Sequence, residues 1–243
     1  MSKRYDCRDP QERLAGIEAA VTAARAGELI VLPTDTVYGI GADAFIPAAV
    51  TTMLAAKGRG RNMPPPVLVG TARAAAALVD DLGAFGQDLI DEFWPGALTL
   101  VFRASPTLLW DLGDTKGTVA LRMPLHSVAL DVLKQTGPLA VSSANRHGQP
   151  SAISADEAEQ QLSEAVSIYL DGGLTAGPLL FPGCPGILDE SCWRTARFWS
   201  LMSGPVVSDE DFAAGPLLFP GLPGIPAHRS TGRSPPETGW SSP

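Results

Sequence analysis

Leu29-Ile30-Val31-Leu32-Pro33 runs directly into Thr34-Asp35-Thr36-Val37-Tyr38-Gly39. A short, β-rich apolar run closed by a polar turn predicts a buried strand. Upstream, Leu14, Ile17, Ala20, Val21 and Ala24 fall at spacings of three and four. That pattern predicts an amphipathic helix over Pro10 to Arg25, with Gly27 where a helix C-cap belongs. Downstream the alternation repeats. Helices are expected around Ala48 to Ala56, Leu78 to Glu92, Ser127 to Lys134 and Ala155 to Leu162. Strands are expected at Val67 to Val69, Leu98 to Phe102, Val119 to Arg122, Leu139 to Val141 and Ile168 to Leu170. Such interleaving up to residue 172 indicates an α/β or α+β domain, one large twisted, mixed sheet with flanking helices.

The composition fits a folded domain. Of 243 residues, 45% are hydrophobic and only 18% charged, enough apolar material for a sizeable core and too few charges for a charge-rich disordered chain. The net charge of −8 disfavours broad, sequence-blind nucleic-acid binding, although a local basic groove remains open. No apolar run approaches the roughly 18 residues that span a bilayer, and Met1 to Glu12 is too polar for a signal peptide. Cys7, Cys184 and Cys192 are odd in number and unpatterned, which argues for a reducing compartment. A soluble, cytoplasmic protein is expected.

The C-terminal third differs in character. Ala176-Gly-Pro-Leu-Leu-Phe-Pro-Gly-Cys-Pro-Gly-Ile187 recurs 38 residues later, from Ala214 to Ile225, with only Cys184 changed, to Leu222. Two near-identical copies are too few for a solenoid and read as a local duplication or a shifted frame. After Pro226 the Ser-, Pro-, Arg- and Gly-rich chain has little to bury. The expected organisation is a catalytic domain over 10–205, atypical from about residue 174, followed by a low-complexity, disordered tail over 206–243.

Four polar clusters sit at predicted strand or helix ends, where ligands bind in open α/β sheets. Pro33 to Gly39 offers two hydroxyls and a carboxylate, suited either to a small polar ligand or to a turn capped by Asp35 and Thr36. Lys57-Gly58-Arg59-Gly60-Arg61 suits either a polyanion or a solvated helix end. Arg122 ends the apolar strand of Gly117 to Pro124, so it needs an anion, from the protein or, as favoured here, from a ligand. Ser142-Ser143-Ala144-Asn145 suits a phosphate or sugar, or a cap. No P-loop, dinucleotide fingerprint or nucleophile elbow is present. Cys184 and Cys192 lack the spacing of a metal site, so no metal bound by side chains is expected.

Taken in order, Pro-Thr-Asp-Thr-Val-Tyr-Gly, Lys-x-Arg, Phe93-Trp94-Pro95-Gly96, Leu121-Arg122-Met123-Pro124 and Ser142-Ser143-Ala144-Asn145 resemble the YrdC-type L-threonylcarbamoyladenylate synthases, over roughly residues 10 to 173. The resemblance implies a YrdC-like twisted mixed sheet around a concave, basic cleft. It implies condensation of L-threonine, bicarbonate and ATP into threonylcarbamoyl-AMP and pyrophosphate. The product supplies N6-threonylcarbamoyladenosine at position 37 of tRNA through a downstream transfer complex, and the resemblance also implies contact with tRNA or double-stranded RNA. It places the catalytic signature on Lys57, Arg59, Ser143 and Asn145. ATP would be held by these four with Arg61, Thr118 and Ser151, and threonine by Thr34, Tyr38, Arg122 and Ser142. Mg2+ would enter with ATP.

Some positions depart from the family pattern: Gly60-Arg61 follows the Lys-x-Arg unit, and Asn145 precedes Arg146-His147-Gly148. Beyond Gly173 only the end of one family segment remains, in Pro185 to Asp189, and Arg197 to Gly204 replaces another. The competing reading is a YrdC-like module that binds nucleotide or RNA with little or no turnover because that closing region is altered. A carbamoyl-transfer accessory of hydrogenase maturation would need zinc-finger cysteines, which three scattered cysteines do not supply.

Overall fold

The computed structural model describes residues 2–177. In chain order the elements are β1 (Lys3–Asp6), α1 (Pro10–Arg25), β2 (Ile30–Leu32), β3 (Gly39–Asp43), α2 (Pro47–Lys57), β4 (Val67–Leu68), α3 (Ala72–Ala76), α4 (Gly83–Phe93), β5 (Leu100–Arg103), β6 (Thr118–Arg122), α5 (Ser127–Thr136), β7 (Leu139–Ser143), α6 (Ala155–Leu162) and β8 (Ile168–Asp171). The eight strands form one sheet in the order β1-β8-β2-β3-β7-β4-β6-β5. It is mixed: β1, β8 and β2 run parallel, β2-β3-β7-β4 pair antiparallel, β4 and β6 are parallel, and β5 closes the edge antiparallel.

Period-two alternation divides the core between the two sheet faces. Ile30 and Leu32 join Leu139, Val141 and Leu170 in one cluster, packed against α1 through Ile17, Ala20 and Val21 and against α5 through Val128, Val132 and Leu133. Val31, Ile40, Val67, Ala140 and Leu121 belong to the other cluster, covered by Val50 and Met53 of α2 and by Ala155, Ala158 and Leu162 of α6. Burial on both faces explains why these strands read as continuous apolar runs.

Local signals fix the helix ends. The Asp9 side chain accepts the Gln11 and Glu12 amides, each at 2.9 Å, Pro10 opens α1, and Gly27 follows its C-cap with a φ of 80°. α2 ends at Gly58 in the left-handed conformation, whose N–H donates to Ala55 O while Arg59 N–H donates to Leu54 O.

Of the differences from the sequence expectation, which include the short unanticipated α3, three have a direct physical cause. β3 was not anticipated: its sequence, Gly-Ile-Gly-Ala-Asp, has weak strand propensity, but a Cβ on Gly39 would lie 2.6 Å from Val141 Cγ1. The valine on the neighbouring strand fills the space that the glycine leaves. β1, polar and charged at the sheet edge, carries no apolar period. The helix expected from Leu78 begins only at Gly83, because Val79 bridges to Ala104, and Ser105 N–H donates to Leu78 O at 3.0 Å, continuing the β5 edge. The expected domain end at 205, the tail over 206–243, the duplicated segment beyond Gly177, and Cys184 and Cys192 lie outside the described residues. Among the described residues no helix is long and apolar enough to cross a membrane.

Candidate active site

Two side-chain clusters meet around the turn Pro33 to Tyr38. The first forms where α2 delivers Lys57 to the end of β7. Lys57 is 1% exposed, and its Nζ donates to Ser143 O, to Asn145 O at 2.6 Å and to Asn145 Oδ1 at 3.2 Å. These three acceptors are uncharged carbonyl oxygens, so they orient the ammonium without contributing formal charge. Asn145 is fixed in turn. Its Nδ2 donates to Arg146 O at 2.9 Å and Gln149 O at 2.7 Å, while Oδ1 accepts from Ser143 Oγ as well as from Lys57. Arg59, just beyond the helix, donates from Nη1 to Ser142 Oγ at 3.3 Å. Ser142 and Ser143 are the last residues of β7, which runs two residues further than expected, so their hydroxyls project from a strand end held by β3.

The second cluster holds Arg122 at the end of β6. Its Nη2 donates to Asp35 Oδ1 at 2.7 Å, its Nη1 to Thr36 Oγ1 at 3.2 Å and its Nε to Gly96 O at 2.9 Å. The costly arginine in an apolar strand therefore has an anion within the protein, in Asp35, one of the two kinds of partner the sequence left open. Asp35 Oδ1 also accepts the Leu125 amide at 3.0 Å, so Asp35 clamps the β6–α5 junction and caps no helix. Thr34 Oγ1 accepts from Thr36 N–H at 3.2 Å and donates to Val37 O at 2.7 Å, which shapes the turn. The two clusters are joined through this turn: Ala144 N–H donates to Tyr38 O at 2.7 Å, and Tyr38 N–H to Ala152 O at 2.9 Å.

Other expected residues lie elsewhere. The ring of Tyr38 is fully buried. Its hydroxyl donates to Gly173 O at 2.6 Å and accepts from Gly172 N–H at 3.0 Å, tying the turn to the end of β8, and burial pushes its pKa up. Arg61 forms a bidentate pair with Asp111 at 2.8 and 2.9 Å on the β5–β6 connection and is more than half exposed. Thr118 opens β6, four residues from Arg122 and so about 13 Å away along an extended strand, with its hydroxyl donating to Thr115 O at 2.8 Å. Ser151 is half-buried in the loop that passes Tyr38. Among the described residues no three or more His, Cys, Asp or Glu side chains are grouped to hold a metal.

Two residues acquire roles that the sequence did not assign. Asp35 supplies the counter-charge to Arg122. Gly96 must be glycine, since a Cβ would sit 2.4 Å from Phe93 O, and its backbone both accepts from Arg122 and donates to Met123 O at 2.8 Å. The only available signal for Gly96 was its place in the Phe-Trp-Pro-Gly string.

An eight-stranded mixed sheet that gathers Lys57, Asn145 and the serine pair on one side of the Thr34 turn, and Arg122 on the other, defines a YrdC-type domain. The comparisons agree. The family model Sua5_yciO_yrdC, described as telomere recombination, matches residues 22–179. A Mycobacterium leprae protein provisionally named a threonylcarbamoyl-AMP synthase is 56% identical over 176 residues, covering 72% of this chain and 80% of its own length. The Bacillus subtilis threonylcarbamoyl-AMP synthase is 36% identical, covering 69% of this chain and 47% of its own. The structure of Pyrococcus abyssi Sua5 complexed with L-threonine superposes with a TM-score of 0.65 and 32% identity, over 72% of this chain and 51% of that one. The chain thus spans about half of the longer relatives and most of the mycobacterial one. It belongs to the Sua5/YciO/YrdC family.

Proposed function

We infer that this chain is a threonylcarbamoyl-AMP synthase, a nucleotidyltransferase that condenses L-threonine, bicarbonate and ATP into threonylcarbamoyl-AMP and pyrophosphate. The observation that carries this reading is the convergence, around one turn, of an oriented buried ammonium with Arg59 and the β7 hydroxyls on one side and the Arg122 guanidinium on the other. The reaction must bring two anions together. Threonine's deprotonated amine attacks CO2 with loss of a proton, or bicarbonate with loss of water, to give a carbamate, and a carbamate oxygen then attacks the α-phosphorus of ATP, with pyrophosphate leaving.

No covalent bond to the protein is required, so catalysis consists of positioning and charge stabilisation. Lys57 and Arg59 are assigned to the phosphates, and Ser143 and Asn145 hold the Lys57 ammonium in place while presenting polar groups to the nucleotide. Thr34, Ser142 and Arg122 are assigned to threonine, Arg122 taking its carboxylate. Arg61, Thr118 and Ser151 would touch ATP only at the periphery, given their own protein partners or distance. Mg2+ arrives with ATP, where phosphate and water oxygens match its preference for hard, octahedral ligands. Transfer of the product to adenosine 37 of tRNA by a downstream complex, contact with tRNA or double-stranded RNA along a basic cleft, and a cytoplasmic location complete the proposal. They are supported by the family resemblance.

The test is pyrophosphate release by the full chain with ATP, bicarbonate and Mg2+, with and without L-threonine. Threonine-dependent release is expected and should vanish on chelating Mg2+. Nucleotide binding without such release would replace the enzyme by a binding module.

A further inference from the structure

Asp35 has no part in the assignments above, yet it forms the closest contact to Arg122. The pair stands 2.7 Å apart, and both side chains are mostly shielded, at 14% and 16% exposure. Asp35 Oδ1 is doubly engaged, by Arg122 Nη2 and by the Leu125 amide, whereas Oδ2 makes no hydrogen bond among the described residues. A fixed carboxylate with one oxygen anchored and the other available, next to a fixed guanidinium, is a pair of opposite charges a few ångströms apart. A zwitterionic α-amino acid carries the same two charges on adjacent groups.

We propose that Asp35 and Arg122 form a two-charge clamp for the amino-acid substrate, in which Asp35 Oδ2 receives the α-ammonium and Arg122 the α-carboxylate. This rests on threonine being the substrate. The exchange keeps every charge paired. Before binding, Asp35 neutralises Arg122; after binding, each takes one end of the zwitterion, so no shielded charge is left uncompensated at any stage. Charge-assisted hydrogen bonds of this type are the strong ones and depend on geometry, which the Leu125 amide, the Thr36 hydroxyl and the Gly96 carbonyl fix from three directions. The clamp also makes the amine a condition of binding. A hydroxy acid of the same shape leaves Asp35 unanswered, a difference sites exploit to reject analogues that lack a hydrogen-bonding group. Holding the nitrogen next to a carboxylate fixes the position from which it reacts once deprotonated.

The test compares two ligands by calorimetric titration of the full chain without ATP: L-threonine and 3-hydroxybutanoate, which keeps the carboxylate and hydroxyl and lacks the amine. Wild-type protein should bind threonine about ten- to a hundredfold more tightly. In Asp35→Asn, threonine affinity should fall by a similar factor while 3-hydroxybutanoate changes less than about threefold, so the preference collapses. Equal affinity of the wild type for the two ligands overturns the clamp without any variant. So does an Asp35→Asn protein that weakens both ligands equally, the signature of a residue that only props Arg122. If wild-type protein shows threonine-dependent pyrophosphate release but no preference for the amine, the clamp fails and the synthase stands. If it neither binds threonine nor releases pyrophosphate, both fall.

Discussion

Lys57 is a cation held among carbonyls: its Nζ meets Asn145 O at 2.6 Å and Ser143 O, and it is almost fully buried. Lys57→Ala removes the charge and also strands oriented acceptors, so turnover should drop by at least about a hundredfold, in line with losing a preorganised electrostatic group. Pyrophosphate release measures this, and near-wild-type rates would remove Lys57 from the mechanism. His126 makes a second residue-scale prediction. Burial pushes its imidazole below the usual histidine range, against the opposing pull of Asp35 and with a smaller downward push from Arg13. Above about pH 6.5 the residue is neutral in both folded and unfolded chains and contributes nothing. As pH falls below that, the unfolded chain takes up a proton that the folded chain resists, so stability declines until the lower native pKa is passed. His126→Asn should flatten the fall of the urea midpoint between pH 7 and pH 5, and an unchanged slope would show that another group is responsible. At this scale much of the site was legible, because Lys57, Arg122 and Asn145 sit in recognisable strings. The Asp35–Arg122 pair was not, since its members are 87 positions apart and nothing local encodes the contact.

Among the elements, the β3–β7 pair shows where local signals run out. α1 and α6 were readable to the residue, because an N-cap, an amphipathic period and a C-terminal break all lie within the element. β3 was invisible because its two glycines are explained only by Val141 across the ladder. The same fact predicts an outcome. Gly39→Ala places a methyl 2.6 Å from Val141 Cγ1 and should cost about 1–3 kcal/mol, as overpacking does. Val141→Ala should restore part of that loss in the double variant, although it costs stability alone. Equilibrium urea unfolding of the four proteins forms the cycle, and strict additivity would mean that the clash is relieved some other way.

Across the molecule, β1, β8 and α6 are cross-linked by charge. Arg4 reaches Asp171 at 2.6 Å and also contacts Asp156, while Gly173 N–H and the Tyr38 hydroxyl converge on Asp171 Oδ1. Burial raises the Asp171 pKa, but the Arg4 hydrogen bond, the Gly173 amide and the charges of Arg4 and Arg8 outweigh it and hold the carboxyl below the usual range. Its contribution is therefore complete above the unfolded value of about 3.9 and is lost as acid carries the pH down through the native value. Asp171→Asn should lower the thermal midpoint at pH 7 and shrink its fall between pH 5 and pH 3. Equal falls in both proteins would remove Asp171 from the acid response.

The sheet order has a temporal side. Among the described strands β1 hydrogen-bonds only to β8, and β2 lies between β8 and β3, so Lys3 and Ile168 become neighbours only after some 165 residues have been strung between them. During synthesis the first strand must wait, unpartnered, until the last described strand leaves the ribosome. Closing so long a loop makes this seam a late and slow event in folding. Released chains that end before Ile168 should leave the β1 segment sensitive to protease, even where α1 itself has formed.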